Sequence, residues 1–544
     1  MIPEWSDLSQ LSVQEREDVI LRLMLSLPRS SVANIRRKMA PLMKVDIVGL
    51  LPDEVSLLIF SCLPWQTLLS CSLVNWRWRA LANDPSLWRW LCKVNKWEWR
   101  ENHNLVVPLH AFGGEYDDEG MGEDEEDVIV EQMLLEDSGF SSMVVDSPSH
   151  SRSTGPHLLP LTPHNQASLS MRPLLLSSPS QSPKFDYKLL FRTHVQLESR
   201  FRRQKYTLRT LQSRGSPNGH TNTIYCLQLY TYPDSNRQVL FTGSRDRTIR
   251  EWDISTGTVI RVLKGRHDGS VLSICARNGL LASGGSDGKV VIWDLQNGHP
   301  LWILRDHVDS VLCVRFDDVR LVTCSKDRTI RTYTLPDFDA HLVLEDHRAA
   351  VNAVSIADDL IVSGSGDRSM KLWDATNGDL LQSHENHHGR GLAAIDFSPP
   401  YVLSGSSDKH MKLMDLSTGI GWCTSPEPDP EGNTDPAPIL NRQPCEACGG
   451  IPPLPKAPAR QPTHSDLVRS VALNNSFVIS GSYDHTVKIW ERDSGKLLAD
   501  LKDGHTGRIF CVGFDCAKIV SCGEDQRICV WDFSDGIDTS FVKL

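Results

Sequence analysis

Apolar and polar positions alternate in short runs through the second half of the chain, and seven of those runs repeat one another. They are FTGSRDRTIREWD (Phe241–Asp253), LASGGSDGKVVIWD (Leu281–Asp294), LVTCSKDRTIRTY (Leu321–Tyr333), IVSGSGDRSMKLWD (Ile361–Asp374), VLSGSSDKHMKLMDL (Val402–Leu416), VISGSYDHTVKIWE (Val478–Glu491) and IVSCGEDQRICVWD (Ile519–Asp532). Alternation at period two, split by a Gly/Ser/Asp turn, predicts two strands of a hairpin in every copy. The Asp falls at 246, 287, 327, 367, 408, 484 and 525, a spacing of 40 or 41 broken once by an insert. A His stands 20 residues before it in six copies (His267, His307, His347, His388, His464, His505) and 26 before it in the first (His220). The first part of the chain follows a helical period instead. Val19, Ile20, Leu23 and Leu27 fall on one face and Pro28 ends the run; a second helix is predicted over SSVANIRRKMAPLM. From Val45 to Val94 three helices are expected: one after Pro52 with Val55, Leu58 and Ile59, a long one from Leu68 through Leu73 and Val74 to Asn83, and one opened by Pro85 with Leu87, Trp88 and Leu91.

A self-similar unit of this length with a His…Trp-Asp signature resembles the WD repeat, whose fold is a propeller blade of four antiparallel strands. The fold class expected is therefore multidomain: an α-helical region followed by an all-β seven-bladed propeller. Four residues before each Asp stands a hydroxyl (Thr242, Ser283, Thr323, Ser363, Ser404, Ser480, Ser521), and six after it an aromatic, except at Met414. Asp, His and Ser together suggest a hydrolase triad, but a catalyst needs one copy and the chain has seven. The reading adopted is a buried hydrogen-bond network bracing each blade, with no catalytic residue. Met414 brings no donor, so blade 5 is expected to be the loosest. After Trp531 and Asp532 too little chain follows for another strand, so Thr207–Gln212 is expected to supply the outer strand of blade 7 and close the ring.

The stretch Val45–Val94, with LPDE, IFSCL and VNWRWRALANDPSLWR, closely resembles the F-box over about 45 residues. That family docks on the Skp adaptor of Skp–cullin–F-box ubiquitin ligases, so the resemblance implies Leu51, Pro52, Val55, Ile59, Leu63 and Leu68 as adaptor contacts, or as core of the three helices. It implies as partners the Skp adaptor, a cullin scaffold through it, and a protein substrate. The order LPRSS…APLMKVDIVGLLP resembles the dimerisation segment of F-box/WD-repeat receptors, which implies a homodimer presenting two receptor faces. Helix KFDYKLLFRTHVQLESRFRRQKY resembles the rigid spacer of that family; its Arg200, Arg202, Arg203 and Lys205 are either a nuclear-import patch or, more often, solvated charge.

Charge and composition change this picture locally. The net charge is −11, yet Glu115–Asp137 alone holds twelve acidic residues and no Lys or Arg, so the remainder comes to about +1 (−11 + 12) and no global field favours nucleic acid. Pro108–Pro183 is acidic, then rich in Ser and Pro, too poor in apolar residues to order itself. Within it Asp137-Ser138-Gly139-Phe140-Ser141-Ser142 matches the phosphodegron of the β-transducin-repeat receptors, which makes Ser138 and Ser142 candidate phosphosites; Ser147, Thr162, Ser178 and Ser182 precede Pro. The fourteen scattered Cys read as reduced thiols of a cytosolic or nuclear protein. No apolar run approaches a membrane span and no signal peptide opens the chain, so nucleus and cytoplasm are expected. Cys445 and Cys448, in the Pro-rich insert 419–463, form half a zinc site with only Cys423 and His464 nearby, so no metal and no cofactor is assigned.

In a propeller the residue before the Asp and those three and five after the His face one mouth of the channel. Those slots hold Arg245 and Tyr225 in blade 1, Lys326 in blade 3, Arg469 and Tyr483 in blade 6, and Arg508 and Phe510 in blade 7. Arginine forks suit phosphate or carboxylate, and aromatics add apolar contact. The set resembles the phosphodegron-reading face of F-box/WD-repeat receptors, although Tyr225 and Leu272 stand where the best-known readers use Arg, and Glu524 opposes one Arg. The expected organisation is 1–44 dimerisation, 45–94 F-box, 95–183 mostly disordered linker, 184–206 helical spacer, 207–535 propeller and 536–544 tail. The function expected is a non-catalytic substrate receptor of a Skp–cullin–F-box ubiquitin ligase, binding phosphorylated protein, with no nucleic acid and no membrane partner. A Skp-associated scaffold without ligase function is the alternative, and an enzyme or metal protein built on the CxxC insert a third reading.

Overall fold

A computed structural model describes Arg22 and residues 27–39, 46–100, 185–425 (apart from Pro217 and Asp234) and 463–543. The acidic and Ser/Pro-rich linker with Ser138 and Ser142, the Cys445/Cys448 insert and most of the proposed dimerisation segment lie outside the described residues. Contacts divide the chain into two compact units, one holding 46–91 and the other 92–100 with 185–543.

The first unit, which also holds residues 27–39, is helical: α1 (Arg29–Met39), α2 (Ile47–Leu50), α3 (Asp53–Ser61), α4 (Trp65–Cys71), α5 (Trp76–Ala82) and the greater part of α6 (Pro85–Val94). Pro52 and Pro64 stand at the N-caps of α3 and α4. The long helix expected from Leu68 to Asn83 is two. Asn75 breaks it, extended in backbone (φ −161°) and with its side chain accepting the Trp78 N–H at 2.9 Å to cap α5. The unpredicted α2 is capped by Asp46, whose carboxylate also accepts the Trp78 indole N–H at 2.8 Å. That bond, then the one from Gly49 N–H, holds the Asp46 carboxyl below the usual carboxylate range. Val48, Phe60, Leu68, Cys71, Leu81, Ala82 and Leu87 form the core.

The second unit is the propeller. Seven four-stranded antiparallel sheets follow one another at 224–263, 271–304, 311–344, 351–384, 392–423 and 468–501, with blade 7 at 509–532. Blade 7 takes its outer strand from β1 (Thr207–Gln212), which pairs antiparallel with Ile528–Asp532. The ring is closed by chain from both of its ends, and no blade edge is left to aggregate at that joint.

Each blade is braced by the Asp–His–hydroxyl network. His220 lies 2.8 Å from Asp246 and 2.9 Å from Thr242, and the other six blades repeat the geometry. The indole N–H donates to the same hydroxyl at 2.8–2.9 Å in blades 1, 2, 4 and 6. In blade 3 the Tyr333 hydroxyl instead donates to Asp306 at 3.1 Å. In blade 7 the buried Trp531 indole N–H has no partner among the described residues. In blade 5, where Met414 brings no polar group, His387 Nε2 lies 3.0 Å from Ser404 Oγ and gives that hydroxyl a second ring-nitrogen partner.

Helix α7 (Tyr187–Arg203) is more than a spacer. It buries Leu190, Phe191, Leu197 and Phe201, and Phe201 stacks on Phe477 and Phe533 of blades 6 and 7. Arg200 donates to the Phe533 carbonyl at 3.1 Å and Arg202 pairs with Glu491, so two residues of the basic patch hold the helix to the blades. Residues 95–100, assigned to the linker, are ordered: Trp97 stacks on His194 at 4.5 Å and Trp99 bridges Val542. The tail is equally fixed, with Phe541 and Val542 buried and Arg100 N–H donating to the Phe541 carbonyl at 2.9 Å.

Candidate functional site

Every inner strand carries a β-bulge at the same place, between Ile224 and Cys226 in blade 1 and between Val468 and Ser470 in blade 6, for example. The bulged residue is left out of the ladder and re-aimed. In blades 1, 6 and 7 those residues are Tyr225, Arg469 and Phe510. They meet. Phe510 lies edge-on to Tyr225 (5.1 Å between centroids) and to Tyr483 (5.4 Å). Arg508 sits over the Tyr483 ring at 5.2 Å, a cation–π contact. Arg469 donates to the Ala393 carbonyl at 3.0 Å. Burial pushes the Tyr483 hydroxyl up, with the Arg469 and Arg508 charges opposing the shift.

Five of the seven mouth residues read from the sequence therefore form one cluster across blades 6, 7 and 1. Arg245, of blade 1, is exposed, its backbone N–H bonded to the Thr223 carbonyl at 2.9 Å. Lys326 does not join. It belongs to blade 3 and pairs with Asp309 of its own blade at 3.6 Å. Glu524 reaches Arg508 only at 4.0 Å with both side chains about half exposed, so it neutralises little. The cluster offers an aromatic floor with guanidinium groups around it, suited to an apolar side chain flanked by an anionic group.

Sequence reasoning missed Arg315 and Asp396, charged residues in the middle of the apolar inner strands VLCVRF and LAAIDFS. Burial pushes the Asp396 carboxyl up although it accepts the Leu473 N–H at 2.8 Å. A separate cleft of about 480 Å³, lined by Arg202, Ser398, Tyr401, Ser476 and Arg492 among others, was also unsignalled because its walls come from helix and blades far apart in sequence.

The helical unit presents an apolar surface. Leu50, Val55, Leu58 (63 % exposed), Ile59, Leu73, Val74 and Trp76 (82 %) are all exposed. Of the six adaptor candidates, Pro52, Val55 and Ile59 lie on the surface, and Leu51 and Leu63 are half-buried. Leu68 is 1 % exposed and belongs to the core, facing inward from α4 beside Phe60 and Leu81, so it is no adaptor contact. Leu58 and Trp76, outside the six candidates, are the more exposed apolar side chains of this surface.

Among known proteins, the F-box-like family matches residues 48–94 and the WD domain, G-beta repeat, matches 209–253, 257–294, 298–334, 340–374, 458–491 and 495–532. Blade 5, with Met414, falls between the matched segments, and the structure completes the count of seven. Similar curated proteins include Autophagy-related protein 16 of Arabidopsis thaliana (24% identical over 303 residues, 54% of this chain and 54% of that protein). Cell division control protein 4 of Saccharomyces cerevisiae is 32% identical over 238 residues, 43% of this chain and 29% of that protein. A guanine nucleotide-binding protein subunit beta-like protein of Encephalitozoon cuniculi is 28% identical over 187 residues, 31% of this chain and 54% of that protein. The chain thus spans about half the length of two of these relatives and less than a third of the other. What the matches and the fold establish together is a chain carrying an F-box-like domain, a type that generally binds Skp-type adaptors, followed by a seven-bladed WD40 propeller, a type that binds proteins and is typically non-catalytic.

Proposed function

We propose that this chain is the substrate receptor of a Skp–cullin–F-box ubiquitin ligase: the F-box-like unit docks on the Skp adaptor and, through it, the cullin, and the propeller mouth holds a phosphorylated protein. The observation that carries this reading is the pairing in one chain of an F-box-like domain with exposed apolar side chains and a propeller whose Arg and aromatic residues cluster at one mouth. Catalysis is by proximity: the receptor holds substrate lysines near the ubiquitin-conjugating enzyme and supplies no nucleophile. The N-terminal segment makes the receptor a homodimer, and it works in nucleus and cytoplasm. The test is size-exclusion chromatography of the purified chain with a Skp adaptor and a cullin, beside Leu58→Glu. The proposal expects wild type to co-elute with both and the variant with neither. Adaptor binding without the cullin would instead favour a scaffold outside any ligase.

A further inference from the structure

Just before the turn that recurs in every blade, five blades place a Gly on the second strand: Gly243, Gly284, Gly364, Gly405 and Gly481. The reason is space. A Cβ at Gly284 would come within 2.8 Å of Val311 in the next blade, and one at Gly364 within 2.6 Å of Ile395. Two blades break the rule, and both use Cys: Cys324 in blade 3 and Cys522 in blade 7. In both, the residue directly opposite on the inner strand is also Cys, Cys313 facing Cys324 and Cys511 facing Cys522. A crowded position that takes a side chain only where a second thiol faces it points to the pair as the unit.

We propose that Cys313 and Cys324 are a dithiol that a peroxide oxidises to a cross-strand disulfide inside blade 3. Directly opposed residues of an antiparallel ladder have Cα atoms about 4.5–5.5 Å apart and side chains on the same face, within the span a disulfide bridges. Both residues lie in one core cluster with Val351 and Val354. Cys313 is the attacking sulfur, because it retains 7% exposure while Cys324 has none. The hydrogen bond from the Cys324 thiol, and then the Arg315 charge, hold the Cys313 thiol well below the usual cysteine range, whereas burial pushes Cys324 up. The Cys313 thiolate attacks one oxygen of the peroxide, the O–O bond breaks, and hydroxide leaves to take up a proton as water; Cys313 becomes a sulfenic acid. The Cys324 thiol then attacks that sulfur, the S–OH bond breaks, and a second water leaves. Two thiols and one hydrogen peroxide become one disulfide and two waters. In blade 7 burial pushes both thiols up, so Cys511 and Cys522 form an internal comparison.

The test uses the full chain exposed to graded hydrogen peroxide, then denatured, alkylated and mapped as peptides without reductant. The exposed thiol of Cys62 reports that oxidant was delivered. Expected is a Cys313–Cys324 linked product lighter by two hydrogens, equal loss of alkylation at both residues, and recovery of both on adding dithiothreitol. Cys324→Ser keeps a hydrogen-bond donor beside Cys313 but cannot close the bridge; in it Cys313 stops at the sulfenic acid and is trapped by dimedone, with a melting profile showing the propeller folded. Full alkylation of Cys313 and Cys324 while Cys62 is oxidised would overturn the proposal. So would closure of the Cys511–Cys522 pair ahead of them, or the same dimedone adduct in wild type and Cys324→Ser.

Discussion

Met414 stands where four other blades place a Trp that donates to the network hydroxyl. Repeat statistics alone would recommend Met414→Trp as a stabilising repair. The structure predicts the opposite, because His387 Nε2 already lies 3.0 Å from Ser404 Oγ, the oxygen an indole would bond. An added indole would have to displace it, and overpacking a filled core costs about 1–3 kcal/mol. His387→Ala alone removes one part-buried hydrogen bond, about 1 kcal/mol, plus the packing of the ring. In the double variant the new indole enters the space that His387 leaves and bonds Ser404. Its loss should be smaller than the sum of the single losses by at least about 1 kcal/mol. Urea denaturation followed by far-UV circular dichroism on the four proteins measures the cycle, and hydrogen exchange of Tyr401–Asp415 localises it to blade 5. A stabilising Met414→Trp beside a neutral His387→Ala would refute the reasoning.

Three further outcomes are expected. Leu68→Ala, in the core of the helical unit, should cost about 2–5 kcal/mol in a thermal melt, while Leu58→Ala should stay within about 0.5 kcal/mol. His194 is buried against Trp97, and burial lowers its pKa from 6.5 to about 4. The unfolded chain therefore takes up this proton first as pH falls, so stability drops between pH 6.5 and 4, by up to roughly 3 kcal/mol from this group, and a melt series that is flat across that window would contradict the assignment. Deleting Thr207–Gln212 should bare the Ile528–Asp532 edge and give multimers by light scattering, where a monomer would mean that the strand is dispensable.

The propeller was legible because the repeat is written in the order of the chain: the Asp, His and hydroxyl recur at fixed spacing, and each blade is a local meander. The closing strand was legible from what blade 7 lacked. Features that depend on contacts across the sequence were not. Nothing local to α7 says that Phe201 meets Phe533, and Trp99 finds Val542 from the other end of the chain. The long helix expected through Leu73 failed because periodicity outweighed Asn75, a strong cap that competes for the backbone N–H groups. His387 escaped notice because its partner in the network is fixed by geometry, one residue off the repeating His388. At the mouth the slot rule found the aromatic and Arg residues and put most of them on blades 6, 7 and 1, adjacent once the ring closes, while Lys326 fell outside.

The central claim is that one cluster on blades 6, 7 and 1 selects phosphorylated proteins for the ligase. The most direct measurement is a quantitative pull-down from cells of wild type beside Arg245→Ala/Arg469→Ala/Arg508→Ala, each with and without phosphatase. Adaptor and cullin are expected in all four samples, and a set of proteins is expected to be retained only by untreated wild type. Identical protein sets in all four would contradict the site, and absence of adaptor and cullin from wild type would contradict the ligase assignment itself.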